Sequence, residues 1–244
     1  MSATVTLKAE TAQAFADLIA EITGAEPPAQ PWLAPALLFA SAEGQRRLAL
    51  PRPGPEEMLI HDYQSVAYTG PFPLDTAFHA AAETRGQDHH ITLSTASGPA
   101  AALTTALRVV RRADVAAANP APFPPRLTET LTWSPLRTVA QSQTDRYLAL
   151  SADPNLIHRD AALAASLGLG APIVPGILLA SLVQPAAEAA LKAALVKLTA
   201  RFMAPLAMGT PFRLAIQRRS PTRLRAYLAG EARALALVDV DVTP

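Results

Sequence analysis

The second half of the sequence repeats the order of segments found in the first half, and this repeat most constrains the fold. The apolar segment 174–180, with proline at its second position, matches segment 34–40. Further along, segment 205–212 matches segment 71–78 with nearly the same separation along the chain. Ala- and Pro-rich segments can match by chance, but here the order of helices, turns and strands recurs in full. The sequence therefore predicts a duplicated unit.

The spacing of apolar residues predicts the elements of the first unit. Apolar residues three and four apart in 11–22 indicate an amphipathic helix that Gly24 ends. Segment 32–40 is apolar all round, so it predicts a buried helix with Pro35 in its first turn. Four strands are predicted, at 58–68, 77–85, 89–97 and 101–111. A buried helix wrapped by a curved antiparallel sheet is the α+β hot-dog architecture, and two copies can pair edge to edge as a double hot-dog.

The repeat divides the chain into two units and a connection. We predict a first hot-dog unit at 1–111 and a second at 126–244, with a helix at 144–150 that resembles the start of the first helix. Segment 112–125 is rich in Ala and Pro and has little apolar periodicity, which is typical of a linker. Because the duplication already pairs two units, a homodimer is compatible with the sequence but not required.

Composition excludes several classes of protein. Half of the residues are hydrophobic and 17% are charged, which excludes a disordered chain. With 21 basic and 20 acidic residues, no bulk charge attracts nucleic acid or a membrane surface. The longest apolar stretch, 173–183, is too short to span a bilayer, and segment 1–10 does not resemble a signal peptide. There is no cysteine, so we expect a cytoplasmic protein without thiol chemistry.

The two halves differ at one polar segment. Asp153, Asn155 and His158 precede the apolar helix of the second half, whereas the corresponding segment 22–28 of the first half has no such set. Aspartate and histidine can move protons near neutral pH and can hold a water between them. On its own, an Asp-x-Asn segment is more typical of a turn or helix cap, and Asp160 could cap a helix at 161–167. One histidine and two aspartates are a thin ligand set, so we expect no metal site.

Gly176 lies at the start of the second apolar helix, one residue after Pro175. The first amides of a helix have no intrahelical acceptor and can bind negative charge that develops on a carbonyl oxygen. Glycine would let a substrate approach this amide closely. The alternative, which is compatible with the first, is that Gly176 permits tight packing of a buried helix.

These residues resemble the signature of a known family. Segment 147–160, Tyr-Leu-Ala-Leu-Ser-Ala-Asp-Pro-Asn-Leu-Ile-His-Arg-Asp, then Ala164, Gly168 and Pro-Ile-Val-Pro-Gly at 172–176, is similar to the signature of MaoC-like dehydratases, which include the (R)-specific enoyl-CoA hydratases. Segment 201–210 also resembles that family's strand and turn. The close resemblance covers 126–217, and the first half resembles the degenerate N-terminal hot-dog of two-domain members. This sequence departs from the family at Pro175, where histidine is common.

The resemblance implies a reaction and roles for the residues. It implies reversible addition of water to a trans-2-enoyl thioester, giving an (R)-3-hydroxyacyl thioester of coenzyme A or an acyl carrier protein, as in fatty acid metabolism. Asp153 and His158 would be the catalytic pair, Asn155 would orient them, and the Gly176 amide would bind the oxyanion. No cofactor is implied. Two-domain relatives bend long or branched acyl chains into the degenerate half, which implies a bulky acyl group.

Other residues and functions remain as alternatives. Arg201 and Arg213 could bind the phosphates of the thioester carrier, although solvated strand ends are the commoner explanation. The histidines of the first half, at 61, 79, 89 and 90, are interpreted as surface or strand residues. A thioesterase on the same fold, or a non-catalytic subunit that binds acyl thioesters, are the alternative functions.

Overall fold

Ten antiparallel strands form one sheet in this computed structural model, which describes residues 2–47, 53–117, 122, 128–193, 195–230 and 233–243. The first half of the chain contributes five strands: β1 (Ser2–Thr6), β2 (Glu57–Tyr68), β3 (Ala77–Arg85), β4 (Asp88–Thr95) and β5 (Gly98–Arg111). The second half contributes the other five: β6 (Thr132–Trp133), β7 (Leu195–Phe202), β8 (Arg213–Ser220), β9 (Arg223–Gly230) and β10 (Arg233–Val242). All four strands predicted for the first half are present, close to their expected bounds.

The strands of the two halves follow the same spatial order. The sheet runs β1-β3-β4-β5-β2-β7-β10-β9-β8-β6, so the first five strands are ordered 1-3-4-5-2 and the last five, from the opposite edge, 6-8-9-10-7. The halves meet where β2 pairs with β7, with Tyr63 opposite Arg201 and Val66 opposite Leu198. This junction leaves both β2 and β7 without a free edge.

Helices connect the first strand of each half to the second. In the first half these are α1 (Ala9–Thr23), α2 (Ala34–Ala40) and α3 (Ala42–Arg47). In the second half they are α4 (Gln141–Ser151), α5 (Ala161–Ser166), α6 (Gly176–Ser181) and α7 (Gln184–Leu191). Short 3-10 helices lie at Arg112–Ala117 and Leu156–His158. None of the helices in the described part of the chain has the length and apolar character needed to cross a membrane.

The apolar faces of the helices pack on the sheet in one main core. Phe15, Leu18 and Ile19 of α1 and Leu178 of α6 are fully buried there, together with Leu198 of β7. Burying each such side chain stabilises the fold by roughly 1.5–3 kcal/mol. α1 ends where Gly24 takes a left-handed conformation with φ of 65°, as its position in the sequence predicts.

The structure refines two of the sequence predictions. The apolar segment that begins at 174 is not helical until Gly176, since Pro175 precedes the helix as its N-cap, and the chain turns at Leu182 before α7. The predicted linker begins with the 3-10 helix Arg112–Ala117, and residues 118–121 and 123–125 of it lie outside the described residues. The division of the chain into units at 1–111 and 126–244 stays a prediction.

Candidate functional site

The polar segment of the second half follows directly from the end of α4. Ala152 caps this helix in a left-handed conformation, with φ of 50°, and so turns the chain away from the helix axis. The Asp153 N–H contacts the Ser151 hydroxyl at 3.3 Å. The start of the polar segment is therefore anchored at the C-terminus of α4.

The turn interpretation of Asp153 and Asn155 is confirmed. The Asn155 N–H donates to Oδ1 of Asp153 at 2.9 Å, and the Ile157 N–H donates to Oδ1 of Asn155 at 3.2 Å. Asp160 caps α5 as predicted, because its Oδ1 accepts from the Leu163 N–H at 2.9 Å. These bonds hold the segment without using Oδ2 of Asp153, so the turn leaves one carboxylate oxygen for other contacts.

His158 faces that remaining oxygen. Its Nδ1 lies 2.8 Å from the carbonyl oxygen of Ile173. A carbonyl oxygen can only accept, so Nδ1 carries a proton and Nε2 of the neutral ring has a free lone pair. Nε2 lies 3.9 Å from Oδ2 of Asp153. This gap is too long for a direct hydrogen bond, yet one small oxygen atom can contact both groups.

Burial shifts the pKa of both groups toward their uncharged forms. Removal from water raises the pKa of Asp153, although the charge of His158 and the Asn155 N–H oppose this shift. Burial also lowers the pKa of His158, which is only 7% exposed, and the charge of Asp153 opposes that shift. The arrangement therefore favours a neutral imidazole beside a carboxyl group that holds a proton more readily than usual.

Asp153, Asn155, His158 and Gly176 line one large cavity of about 1320 Å³. The structure thus brings together all four residues proposed from the sequence for catalysis. Gly176 is the first residue of α6, so its N–H has no acceptor within the helix. A Cβ at this position would lie 3.1 Å from ring atoms of Phe202. The packing interpretation of Gly176 is therefore supported, and it leaves the amide available.

The sequence reasoning missed the polar residues of the first half that line the cavity, among them His61, Gln64 and Thr105. His61 lies in β2 with its ring centroid 4.9 Å from that of Phe202. Its Nε2 donates to the Tyr63 carbonyl oxygen at 3.0 Å, and burial lowers its pKa to about 4. His61 is a strand histidine as interpreted, but it faces the cavity. His89, which is buried and contacts Thr84, is not a surface residue either.

The two arginines predicted to bind phosphates are not among the described residues that line the cavity. The Arg201 guanidinium is 5.9 Å from the centre of the Tyr63 ring, and that of Arg213 lies 4.0 Å above the Trp133 ring. Neither belongs to the described residues that line the cavity, whose arginines are those at 46, 108 and 112. A phosphate-binding role for Arg201 and Arg213 stays a prediction. No cluster of three or more His, Cys, Asp or Glu side chains that could hold a metal occurs within the described ranges.

The sequence matches one family model, and the structure matches solved structures of one fold. Residues 122–238 match the family model described as MaoC like domain. No curated protein matches the sequence significantly.

Solved structures match the whole chain at low sequence identity. HtdX of Mycobacterium tuberculosis is 18% identical with a TM-score of 0.72, and the match covers 100% of both chains. A MaoC-like dehydratase from Phytophthora capsici is 17% identical with a TM-score of 0.70, covering 100% of this chain and 94% of that one. An acyl-ACP thioesterase from Bacteroides thetaiotaomicron is 7% identical with a TM-score of 0.58, covering 100% and 97%. These similarities establish a hot-dog type of fold.

Proposed function

The chain carries a MaoC-like dehydratase domain at residues 122–238, and from this premise we propose that the protein is a hydro-lyase acting on acyl thioesters. The proposed reaction is the reversible hydration of a trans-2-enoyl thioester to an (R)-3-hydroxyacyl thioester of coenzyme A or an acyl carrier protein. One observation carries the proposal. Nε2 of His158 and Oδ2 of Asp153 face each other across 3.9 Å in a cavity that Gly176 also lines.

The geometry gives each member of the pair a distinct role in the hydration direction. A water between the two groups donates a proton to Nε2 of His158, since Nδ1 is already protonated against the Ile173 carbonyl. The water oxygen forms its bond to C3 of the enoyl group as the double bond electrons shift to C2. Asp153, with its raised pKa, delivers a proton to C2. Transfer of the proton from His158 to Asp153 then restores the starting state.

The negative charge that develops on the thioester oxygen needs a hydrogen-bond donor to stabilise it. The Gly176 N–H is proposed for this role, because it begins α6 without an intrahelical acceptor and lines the same cavity. Asn155 is proposed as a positioning residue. Its own N–H holds Asp153, while its side chain caps the turn that carries His158. The proposed chemistry uses no cofactor.

The identical strand order of the two halves supports a double hot-dog. In this proposal residues 1–111 and 126–244 are two hot-dog units, of which only the second carries the proposed acid–base pair. The first unit supplies part of the cavity wall, through side chains such as Phe39 and Gln64. Since acyl-CoA thioesters are intracellular metabolites, a cytoplasmic location is part of the proposal.

Hydration of crotonyl-CoA and longer enoyl-CoAs, followed as loss of enoyl absorbance, tests the proposal. Asp153→Asn and His158→Ala are each expected to lower kcat by about a hundredfold or more, because each removes one proton-transfer group. Asp145→Asn is a matched control, since Asp145 lies on the exposed face of α4. Unchanged turnover in both site variants would exclude the assigned mechanism.

A thioesterase is the second candidate, because the fold also matches that of an acyl-ACP thioesterase at a TM-score of 0.58. The two activities have different products. A thioesterase releases a free thiol from saturated and unsaturated acyl thioesters alike, whereas a hydro-lyase consumes the double bond and keeps the thioester. Measuring thiol release and enoyl absorbance in the same reaction separates them. A non-catalytic binding protein would instead show stabilisation by the thioester without either signal.

A further inference from the structure

A group of three polar side chains from the first half lines the cavity that also holds the proposed acid–base pair. It consists of His61 and Gln64 of β2 and Thr105 of β5, and we call it the polar wall. Gln64 is 1% exposed and Thr105 is 9% exposed. The Thr105 hydroxyl donates to Oε1 of Gln64 at 2.8 Å, and Nε2 of Gln64 donates to the Ser65 carbonyl at 3.1 Å.

The scaffold does not require polar residues at these positions. β2 ends at Tyr68 and β7 at Phe202, so aligning the ends of these two strands places Leu198 in the position of Gln64. Gln64 pairs with Thr105 across β2 and β5, and Leu198 pairs with Val240 across β7 and β10. Leu198 and Val240 are fully buried. The same cross-strand position is therefore apolar in one half and polar in the other.

A local irregularity of β2 lies within the polar wall. Successive side chains of a regular strand face opposite sides, so residues three apart would not share a surface. The register between β2 and β5 shifts between His61 and Tyr63, which leaves Asp62 without a partner in that register. The bulge therefore lies between His61 and Gln64, both of which line the cavity.

The polar wall lies close to the proposed reaction centre. The His61 ring contacts Phe202, whose ring atoms lie 3.1 Å from where a Cβ of Gly176 would stand. A substrate held between Gly176 and the acid–base pair would therefore have its acyl chain within reach of the polar wall.

We propose that the polar wall of His61, Gln64 and Thr105 is a subsite for a hydroxyl group on the acyl chain of the thioester substrate. This inference rests on the proposed function, because it assumes that an acyl thioester occupies the cavity. It gives the substrate a chemical class, namely enoyl thioesters whose acyl chain carries a hydroxyl substituent beyond the double bond.

The unused hydrogen-bonding capacity of the wall favours a hydroxyl over a purely apolar chain. Thr105 has donated its only hydrogen to Gln64, so its oxygen can only accept a further bond. His61 has committed Nε2–H to the Tyr63 carbonyl. Gln64 is committed as well, through its bonds to the Ser65 carbonyl and to the side chain of His61. A ligand hydroxyl can donate to the Thr105 oxygen, whereas an unsubstituted acyl chain has no donor for it.

The experiment compares enoyl-CoAs of equal chain length that differ in one hydroxyl group, placed at successive carbons beyond the double bond. The unsubstituted enoyl-CoA is the reference, and kcat/KM is measured for each. Their saturated counterparts, which cannot be hydrated, report binding by calorimetry without turnover. At least one hydroxylated chain is expected to exceed the reference about tenfold in both measurements, as one hydrogen bond to a buried group allows.

The variant Gln64→Leu with Thr105→Val copies the Leu198/Val240 pair of the other half and is expected to reverse the preference. If the double variant does not fold, Thr105→Val alone takes its place, because it removes the hydroxyl with little change in volume. Thr104→Val is the matched control, because Thr104 contacts His90 and is not among the described residues that line the cavity.

The outcomes separate the subsite from the hydro-lyase activity. Turnover without preference for any hydroxylated chain overturns the subsite and leaves the hydro-lyase standing. Preferential binding of a hydroxylated chain without turnover supports the subsite and rejects the hydro-lyase. Equal shifts for both chain types in the double variant also overturn the subsite. Absence of both turnover and preferential binding rejects both.

Discussion

Acid conditions are expected to destabilise the folded protein through His61. Burial lowers the pKa of this residue from 6.5 to about 4. Between these values the unfolded chain binds a proton that the folded protein does not bind, so the free energy of unfolding falls as the pH decreases through this window. From about pH 7 to about pH 4.5, the pKa difference corresponds to a loss of about 2.5 kcal/mol from this residue.

The assay is chemical unfolding of the wild type and of His61→Gln at both pH values. Glutamine does not titrate, so the variant is expected to lose about 2.5 kcal/mol less than the wild type on acidification. Other groups that titrate, such as Asp153 and His158, are present in both proteins and cancel in the difference to first order. His79→Gln, on the exposed face of β3, serves as the control and should behave like the wild type.

Equal losses in the wild type and in His61→Gln would refute this reasoning. The result would mean that water reaches the imidazole in the folded state or that a neighbouring carboxylate compensates its charge. Asp62 is the nearest such group along the chain, but its carboxylate binds Arg108 through two hydrogen bonds of 3.0 and 3.2 Å. A smaller difference than expected would place His61 nearer to solvent.

Two further predictions concern the residues that shape the site. Gly176→Ala is expected to lower the free energy of unfolding by about 1 kcal/mol, because the new Cβ would lie 3.1 Å from the Phe202 ring. Adding Phe202→Leu to this variant should recover most of the loss, as measured by chemical unfolding. Asn155→Ala is expected to lower the free energy of unfolding by about 1 kcal/mol and to lower kcat, because the acceptor for the Ile157 N–H is lost. Asn155→Ser keeps an acceptor, so it should lower both quantities less. Additive effects of the first pair, or equal effects of the last two, would contradict these assignments.

The elements could be predicted because their signals are local. α1 shows apolar residues three and four apart, and Gly24 marks its end. The strand Ala77–Arg85 is predicted at its observed bounds, because turn residues flank it on both sides. The start of α6 could not be predicted to the residue. Pro175 fits the first turn of a helix, yet its extended ψ of 135° makes it the cap and shifts the helix to Gly176.

The site could be predicted only for its residues in the second half, which lie between positions 153 and 176. Asp153 and His158 lie on one short segment, so their type and spacing already indicate a shared role. Their proximity to residues of β2 depends on the pairing of β2 with β7, which joins two strands from opposite halves of the chain. β2 also has a bulge at Asp62, next to His61, for which the sequence gives no signal.

The junction between β2 and β7 places the first half, which lacks the proposed acid–base residues, beside the site. Phe202, the last residue of β7, contacts both Gly176 in the second half and His61 in the first. The cavity wall beyond it comes from the first half, including Phe39 of α2 and Gln64 of β2. The proposed chemistry holds one water between Asp153 and His158 and is favoured by exclusion of bulk solvent, to which the second half alone would expose the pair. Under the proposed function, the first half would thus help to determine which acyl chain the cavity accepts.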